Sequence, residues 1–296
     1  MTKLRLELTE KCNFNCIFCH GDQIQEKSLS NLNAEDYKFL VSTAKNVGIG
    51  HVVLSGGEPL SRPDINEIIE KIHECSVYLQ ITTNGTFLNK INNPQFIDGL
   101  NISLHSIDLI AHKKITGQNF ALPNIIQNIE QINKYKNIKK KINVVALKTL
   151  TISQQNLKQL LNLCVDCDAD LKIIELLNKN NQEFVSNEEV KDLLLSMGFK
   201  VIKTVGRNIY LSNTRTNVIL QKCFCQFAKD QPSPSLVCHQ FNDLFILPSG
   251  RISYCRLSNN SIDILQEIKN RNEKSLQTKL KNAVDYLGET CPYKKQ

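Results

Sequence analysis

Apolar residues recur at two spacings along this 296-residue chain. Alternating apolar and polar positions predict strands at 3–9, 51–55, 77–83, 100–104, 142–147, 171–176 and 200–205. Apolar residues at helical spacing predict helices between them, one from Asn33 to about Gly48 and another that Asp64 caps. Strands separated by single helices form right-handed βαβ units. The pattern therefore predicts a parallel sheet of six to seven repeats, a partial or complete β/α barrel.

The pattern changes after residue 210. Two short strands joined by a Pro-Ser-Gly turn are predicted at 244–255, and a polar helix near 261–286. We predict a β/α barrel of the (β/α)6 type at 1–212 and a small second domain at 213–296. This second domain is too small to bury a substantial core, so a bound metal would supply part of its stability. It holds five cysteines: Cys223, Cys225, Cys238, Cys255 and Cys291.

Composition narrows the class of protein. No apolar run approaches the roughly 20 residues needed to span a bilayer, and the charged start "MTKLRLELTEKC" is unlike a signal peptide. We therefore expect a cytoplasmic protein with no membrane contact. The net charge of +7 is spread along a chain without Trp and with 6% aromatic residues. This argues against binding to a nucleic acid polymer and is compatible with a small anionic ligand.

Eleven cysteines in a cytoplasmic chain indicate metal or redox chemistry. Cys12, Cys16 and Cys19 have C-x3-C-x2-C spacing, which lacks the fourth ligand of a structural zinc site. Three thiolates on a four-iron cluster would leave one iron open for chemistry. The first strand leads into this loop at the carboxyl end of the sheet, where β/α folds carry their active sites. For the five later cysteines, zinc remains an alternative to iron and sulfur.

The segment "CNFNCIFC" at 12–19 resembles the motif of the radical S-adenosylmethionine (SAM) superfamily. The resemblance implies a [4Fe–4S] cluster on these cysteines that binds SAM and splits it to a 5′-deoxyadenosyl radical. It also implies an electron donor such as flavodoxin or ferredoxin. "SGGEP" at 55–59 follows the second strand as in that family, and its two glycines would let the backbone approach a ligand closely. The SAM-binding residues implied by the resemblance are Phe18, Gly56, Gly57, Glu58, Thr83, Asn84 and Ser103.

Within the superfamily, the segments "LRLELTEKCNFNC", "LSGGEPLSRPD", "ITTNGTFL" and "KINVVALKTLT" occur in the order found in the GTP 3′,8-cyclase family of molybdenum-cofactor biosynthesis. That resemblance implies a second, auxiliary [4Fe–4S] cluster in a twitch-like domain. Cys238 and Cys255 would be two of its ligands, with Cys223 or Cys225 the first. Cys291 has no counterpart in the cyclase and would supply a fourth.

The same resemblance makes Arg5 and Lys148 candidates for substrate binding, because they match basic residues that hold the GTP triphosphate. Two other basic sites of the family are missing: Val53 replaces an arginine, and "HQFNDLF" at 239–245 replaces an Arg-Leu-Arg segment. Valine and asparagine cannot reproduce a bidentate guanidinium. The resemblance therefore supports the chemistry and leaves the substrate open.

These observations predict a radical SAM enzyme, of the lyase, cyclase or oxidoreductase type. It would abstract a hydrogen atom from a small anionic or nucleotide-like substrate and lead to cyclisation, rearrangement or oxidation. Lys148 and His105, both at strand ends, are candidate catalytic residues; for His105 a packing role is equally open. One alternative is a peptide-modifying radical SAM enzyme. A non-enzymatic alternative is an iron–sulfur carrier or redox sensor, which would bind a cluster without cleaving SAM.

Overall fold

The structure is a computed structural model that describes residues 2–19, 32–119, 121–231, 243–253 and 260–286. Its strands are β1 (Leu4–Glu7), β2 (His51–Ser55), β3 (Tyr78–Thr83), β4 (Gly99–Ser103), β5 (Lys139–Ala146), β6 (Ala169–Glu175), β7 (Lys200–Val205), β8 (Asn208–Ser212), β9 (Asn217–Gln221), β10 (Leu244–Ile246), β11 (Arg251–Ser253) and β12 (Ser261–Asp263). Its helices are α1 (Ala34–Asn46), α2 (Ile65–His73), α3 (Leu109–Thr116), α4 (Ala121–Ile132), α5 (Gln154–Asp166), α6 (Asn187–Ser196), α7 (Phe224–Lys229), α8 (Leu265–Lys269) and α9 (Glu273–Asp285).

The twelve strands form one sheet in the order β12-β11-β10-β1-β2-β3-β4-β5-β6-β9-β8-β7. Strands β1 to β6 are parallel and adjacent in chain order, and β10 and β9 extend the parallel part on either side. Antiparallel pairs lie at both ends of the sheet. Over the described strands the order does not close on itself. The predicted partial β/α barrel is confirmed, and a complete barrel is excluded.

The two faces of the sheet differ in chemistry because successive side chains of a strand point to opposite sides. The outer face carries buried aliphatic residues such as Leu4, Leu54 and Ile81, which form one core with Leu40 of α1 and Ile68 of α2. The alternate positions form what we call the inner face. It carries mainly polar residues, among them Arg5, Ser55, Gln80, Asn101, Ser103, Asn143 and Lys172.

Of the two predicted helix caps, the one at α1 is confirmed and the one at α2 is wrong. Asn33 caps α1 in a reciprocal capping box with Asp36, as its sequence position predicts. Asp64 stands at the start of α2 but makes no capping hydrogen bond. Its carboxylate accepts two hydrogen bonds from the guanidinium of Arg62, at 2.8 and 2.6 Å. Arg62 also donates to the Leu8 carbonyl at 2.8 Å, so this pair ties the start of α2 to the end of β1.

Two predicted elements differ from the structure. Residues 200–205 form a strand, but β7 is the antiparallel outer strand of a hairpin and all six of its residues are exposed. The predicted helix at 261–286 begins instead with β12, because Ser261–Asp263 pairs with β11, and two helices follow. The sheet runs without interruption through β8 and β9 on either side of 212/213. The domain boundary stays a prediction.

No helix within the described ranges has the length and apolar character of a membrane span.

The outer core makes a direct stability prediction. Ile68 on α2 is fully buried, whereas Glu67 beside it is exposed. We expect Ile68→Ala to lower the free energy of unfolding by about 2–5 kcal/mol, because it removes buried methylene groups and leaves a cavity. Glu67→Ala should change it by less than about 0.5 kcal/mol. Urea unfolding followed by circular dichroism measures both; equal effects would contradict the assigned helix face.

Candidate active site

The loop of Cys12, Cys16 and Cys19 continues directly from β1. Backbone hydrogen bonds extend the β1–β2 pairing beyond the strands: Leu8 N–H to Ser55 O at 2.9 Å, Gly57 N–H to Thr9 O at 2.7 Å and Glu58 N–H to Lys11 O at 2.9 Å. The "SGGE" segment therefore acts as a template for the chain that leads into Cys12.

The two glycines of this segment are needed because backbone lies against backbone. A Cβ atom on Gly56, whose φ is +123°, would lie 2.3 Å from Thr9 O. A Cβ atom on Gly57 would lie 2.3 Å from Lys11 O and 2.8 Å from Glu10 O. The close approach predicted from the sequence is present, but its partner in the structure is the chain's own 9–11 segment. SAM contacts by Gly56 and Gly57 stay predictions.

The other side of the cysteine loop is held by α3. Asn15 N–H donates to Thr116 O at 2.9 Å, and Ile17 N–H donates to Ile115 O at 3.0 Å. The Gln118 side chain donates to Asn13 O at 2.7 Å. The loop is thus held by hydrogen bonds from two directions, from the residues that follow β2 and from α3.

The three thiols of this loop influence one another through their charges. Burial, followed by the charges of Cys19 and Cys12, raises the pKa of Cys16 to about 12. Burial likewise raises the pKa of Cys12. Bound iron reverses this effect, because a metal cation stabilises thiolates. Among the described residues, no three Cys, His, Asp or Glu side chains converge on a single-ion site. A cluster that takes each thiolate on a different iron requires no such convergence, so the loop fits a [4Fe–4S] cluster better than a mononuclear metal.

Glu58 joins the ends of β2 and β3 below the cysteine loop. Its fully buried carboxylate accepts hydrogen bonds from Thr83 Oγ1 at 2.7 Å, Asn84 N–H at 2.7 Å and Leu60 N–H at 3.0 Å. Burial raises the pKa of Glu58, and these three donors oppose the rise. Asn84 in turn donates through Nδ2 to Asn13 Oδ1 at 2.8 Å and lies 3.9 Å from Cys12 Sγ. Predicted SAM-binding residues and the cluster loop thus form one connected network.

His105 lies beneath Phe18 rather than in an open part of the site. The two rings meet edge to face with centroids 4.7 Å apart, and His105 is 5% exposed. Its Nδ1 accepts a hydrogen bond from Val145 N–H at 3.1 Å. Burial, and then the nearby His112, lowers the pKa of His105 to about 3. His105 is therefore neutral with its proton on Nε2. This geometry favours the packing alternative, and a catalytic role stays a prediction.

Polar side chains on the inner face bond to one another across strands. Gln80 Oε1 accepts a hydrogen bond from His51 Nε2 at 3.2 Å, and Gln80 Nε2 donates to Asn101 Oδ1 at 3.0 Å. Asn101 donates to Thr82 Oγ1 at 3.3 Å. On β5, the buried Oδ1 of Asn143 has no hydrogen-bond partner within the described part of the chain. It lies in register with Ser103 on one side and Lys172 on the other. An unsatisfied buried acceptor of this kind is available to a ligand.

Five cations, which we call the basic cluster, gather on and beside the inner face: Lys3, Arg5, Lys141, Lys172 and Arg207. Arg5 is paired with Asp243 at 2.8 Å. The other four make no ion pair with any described residue. Burial, and then the charges of Arg207, Lys141, Arg5 and Lys3, lowers the pKa of Lys172 to about 7. An excess of buried positive charge is costly unless an anion compensates it.

The predicted substrate residues do not lie together. Arg5 belongs to the basic cluster. Lys148 is exposed after β5, where its charge acts on Glu189 at the start of α6. Lys141, Lys172 and Arg207 were not predicted from the sequence. Lys141 and Lys172 could have been identified, because a lysine at the inward position of a largely apolar strand, as in "LKIIE", is unusual.

The first auxiliary cysteines follow β9. Cys223 is buried, and its N–H donates to Glu175 Oε2 at 3.2 Å. Cys225 is the second residue of α7 and is partly buried. Cys238, Cys255 and Cys291 lie outside the described residues. The assignment of all five as metal ligands stays a prediction.

With this geometry established, comparison with known proteins identifies the class. A sequence model of the Radical SAM superfamily matches residues 6–161. A Pyrobaculum aerophilum protein named "Probable GTP 3′,8-cyclase" is 29% identical over 283 residues, which cover 93% of this chain and 90% of that protein. One of the same name from Sulfurisphaera tokodaii is 30% identical over 288 residues, covering 94% and 88%. The chain therefore belongs to the radical SAM superfamily, within the family of these relatives.

Solved structures agree on the fold. Streptococcus suis SuiB bound to S-adenosylmethionine superposes with a TM-score of 0.66 at 17% identity, covering 94% of this chain and 67% of that one. The native anSMEcpe structure with bound AdoMet gives 0.58 at 14% identity, covering 93% and 82%. The match to the superfamily confirms the predicted SAM and the SAM-binding [4Fe–4S] cluster. The second, auxiliary [4Fe–4S] cluster stays a prediction.

The glycine template predicts a specific defect. In Gly57→Ala, the new Cβ would displace Lys11 and with it Cys12, so we expect the SAM-binding cluster to be lost or to load incompletely. Gly50→Ala is the matched control, since a Cβ there meets nothing within 4 Å. Iron per chain after anaerobic reconstitution, with circular dichroism as the check on folding, measures the effect. Full iron loading of Gly57→Ala would contradict the role given to this contact.

Proposed function

We propose that this chain is a radical SAM enzyme that acts on a small anionic, nucleotide-like substrate held on the inner face of the barrel. When bound, the cluster and SAM supply a 5′-deoxyadenosyl radical that removes a hydrogen atom. The chain's own residues supply the rest. The cysteine loop and the Glu58 network hold the reactive end of the site, and the basic cluster supplies the charge for the substrate.

The single observation that carries this proposal is the positive charge of the basic cluster, of which only Arg5 makes an ion pair with a described residue. Lys172 stands on the inner face, and Arg207 contributes the largest charge effect upon it. Anionic groups such as phosphates suit this environment, because charge-assisted hydrogen bonds strengthen away from bulk water. The relatives' name supports a nucleoside triphosphate as the first substrate to test.

The positions of the cations on the inner face support an anion site that differs from the one in the resembled family. Val53 occupies the inward position between Arg5 and Gln80, and it is 1% exposed. No anion contact by a charged group is available there. Lys141, Lys172 and Arg207 provide cations from β5, β6 and the β7–β8 turn instead. The proposal therefore assigns anion binding mainly to these three residues and Arg5.

The test compares ligands that differ only in charge. Anaerobically reconstituted protein is given SAM and a reductant, with GTP, guanosine or no addition, and 5′-deoxyadenosine and nucleotide products are quantified. We expect GTP to stimulate SAM cleavage and guanosine not to, because guanosine cannot compensate the basic cluster. Arg5→Gln should reduce the stimulation by about tenfold or more, whereas Lys158→Gln on the exposed face of α5 should not.

Other outcomes would replace the proposal. Equal stimulation by guanosine would reject an anion-dependent site. Stimulation by peptides alone would favour a peptide-modifying enzyme. Absence of SAM cleavage in every sample, with both clusters loaded, would favour an iron–sulfur carrier.

The pKa of Lys172 predicts the pH dependence of anion binding. With no ligand, this pKa is about 7, and a bound anion raises it, so binding above pH 7 must take up a proton. We expect the affinity for tripolyphosphate to fall as the pH rises above 7, by at most about tenfold per unit. Lys172→Met should bind more weakly and lose this component of the pH dependence. Calorimetric titrations of both proteins from pH 6 to 9 measure the difference, which cancels the ligand's own titration. Identical pH profiles would show that Lys172 does not face the anion.

A further inference from the structure

Arg207 differs from the other residues of the basic cluster because it lies in a hairpin turn, whereas Arg5, Lys141 and Lys172 lie on parallel strands. It occupies the two-residue turn between β7 and β8, in which Val205 pairs with Asn208. Gly206 supplies the first turn position with a φ of +55°. A glycine first in a two-residue hairpin turn matches the twist of the flanking strands. The turn therefore sets the direction in which Arg207 leaves the hairpin.

The guanidinium of Arg207 lies between two groups of residues. Its charge acts on Lys172 and on Lys3, and it is influenced by Asp243 and Arg5 on the side of the inner face. On the other side, it lies close enough to Cys223 and Cys225 for their charges to affect its pKa, which burial lowers. Its Cζ atom stacks 4.9 Å above the ring of Phe224, the residue between those two cysteines.

The backbone fixes this arrangement. Lys222 N–H donates to Arg207 O at 2.9 Å, and Arg207 Nη1 donates weakly to Lys222 O at 3.4 Å. Glu175 holds the N–H of Cys223 from the end of β6. These contacts therefore hold the side chain of Arg207 against the segment 222–225. The remaining guanidinium N–H groups make no hydrogen bond to a described residue, which leaves them available to an anion.

We propose that Arg207 is shared between the two sites: it binds the anionic group of the substrate and is also the cation next to the auxiliary cysteines, so anion binding changes the electrostatic field at the auxiliary cluster. This inference rests on the proposed function for the identity of the anion's source. An anion on Arg207 adds negative charge near Cys223 and Cys225. Added negative charge favours the oxidised form of a cluster, because reduction makes the cluster more negative.

The experiment isolates the auxiliary cluster. A variant with Cys12, Cys16 and Cys19 replaced by alanine is reconstituted anaerobically, so that it carries the auxiliary cluster alone. The midpoint potential is then measured by electron paramagnetic resonance, with and without tripolyphosphate, whose affinity is measured by calorimetry. We expect tripolyphosphate to lower the potential. Adding Arg207→Gln should weaken tripolyphosphate binding by about tenfold or more and abolish the shift in potential.

Two further variants separate charge from folding. Arg207→Lys keeps a charge without the planar fork, so it should retain part of the binding and part of the shift. Arg215→Gln removes an exposed arginine from the β8–β9 turn and should change neither. If Arg207→Gln fails to load its cluster, calorimetry still measures its tripolyphosphate binding, and Arg207→Lys provides the potential.

Two results would overturn the inference: unchanged tripolyphosphate affinity in Arg207→Gln, or a shift in potential that persists without Arg207 at saturating tripolyphosphate. No turnover is required. A nucleotide that fails to stimulate SAM cleavage, together with Arg207-dependent tripolyphosphate binding, would reject the proposed substrate and leave this inference standing.

Discussion

The candidate site depends on one backbone contact, that of Gly56 and Gly57 with residues 9–11. Through it, the hydrogen bonding between β1 and β2 continues beyond both strands and positions the loop that carries Cys12. Any side chain at these two positions would force backbone atoms apart. Glu58 follows these glycines directly, and its buried carboxylate accepts hydrogen bonds from Thr83 and Asn84 at the end of β3. A buried carboxylate requires such donors, so this contact fixes the end of β3 relative to β2. The three residues after β2, Gly56, Gly57 and Glu58, thus connect the ends of β1, β2 and β3. The position of the cluster loop therefore depends on these contacts within the chain.

The inner face supplies a second constraint, which is charge. A fully closed β/α barrel fills its interior with apolar side chains. Here the described strands form an open sheet, whose inner face carries polar residues and the basic cluster. Like charges repel one another, and burial, followed by this repulsion, lowers the pKa of Lys172. Retaining such charge is consistent with a site whose electrostatic complement arrives with the substrate. The charge of Arg207 acts on Lys172, and that of Cys223 acts on Arg207.

Much of this was accessible from the sequence. The apolar alternation gave six parallel strands because Leu4, Leu6, Val52 and Leu54 point outward with a period of two. The cysteine spacing identified the cluster loop. Long-range placement could not be predicted, because nothing in the local sequence reveals that β7 is antiparallel or that the charge of Arg207 acts on Lys172. Asp64 was assigned as a cap from its position, but Arg62 competes for its carboxylate. Lys148 matched a motif, yet the turn after β5 directs it toward α6.

A crystal structure of the reconstituted enzyme with SAM and a nucleoside triphosphate tests the assigned site most directly. We predict phosphate oxygens within hydrogen-bond distance of Arg5, Lys172 and Arg207, with the nucleotide extending toward the cysteine loop. Phosphate bound beside Lys148 at the start of α6, with only water among the basic cluster, would contradict this prediction.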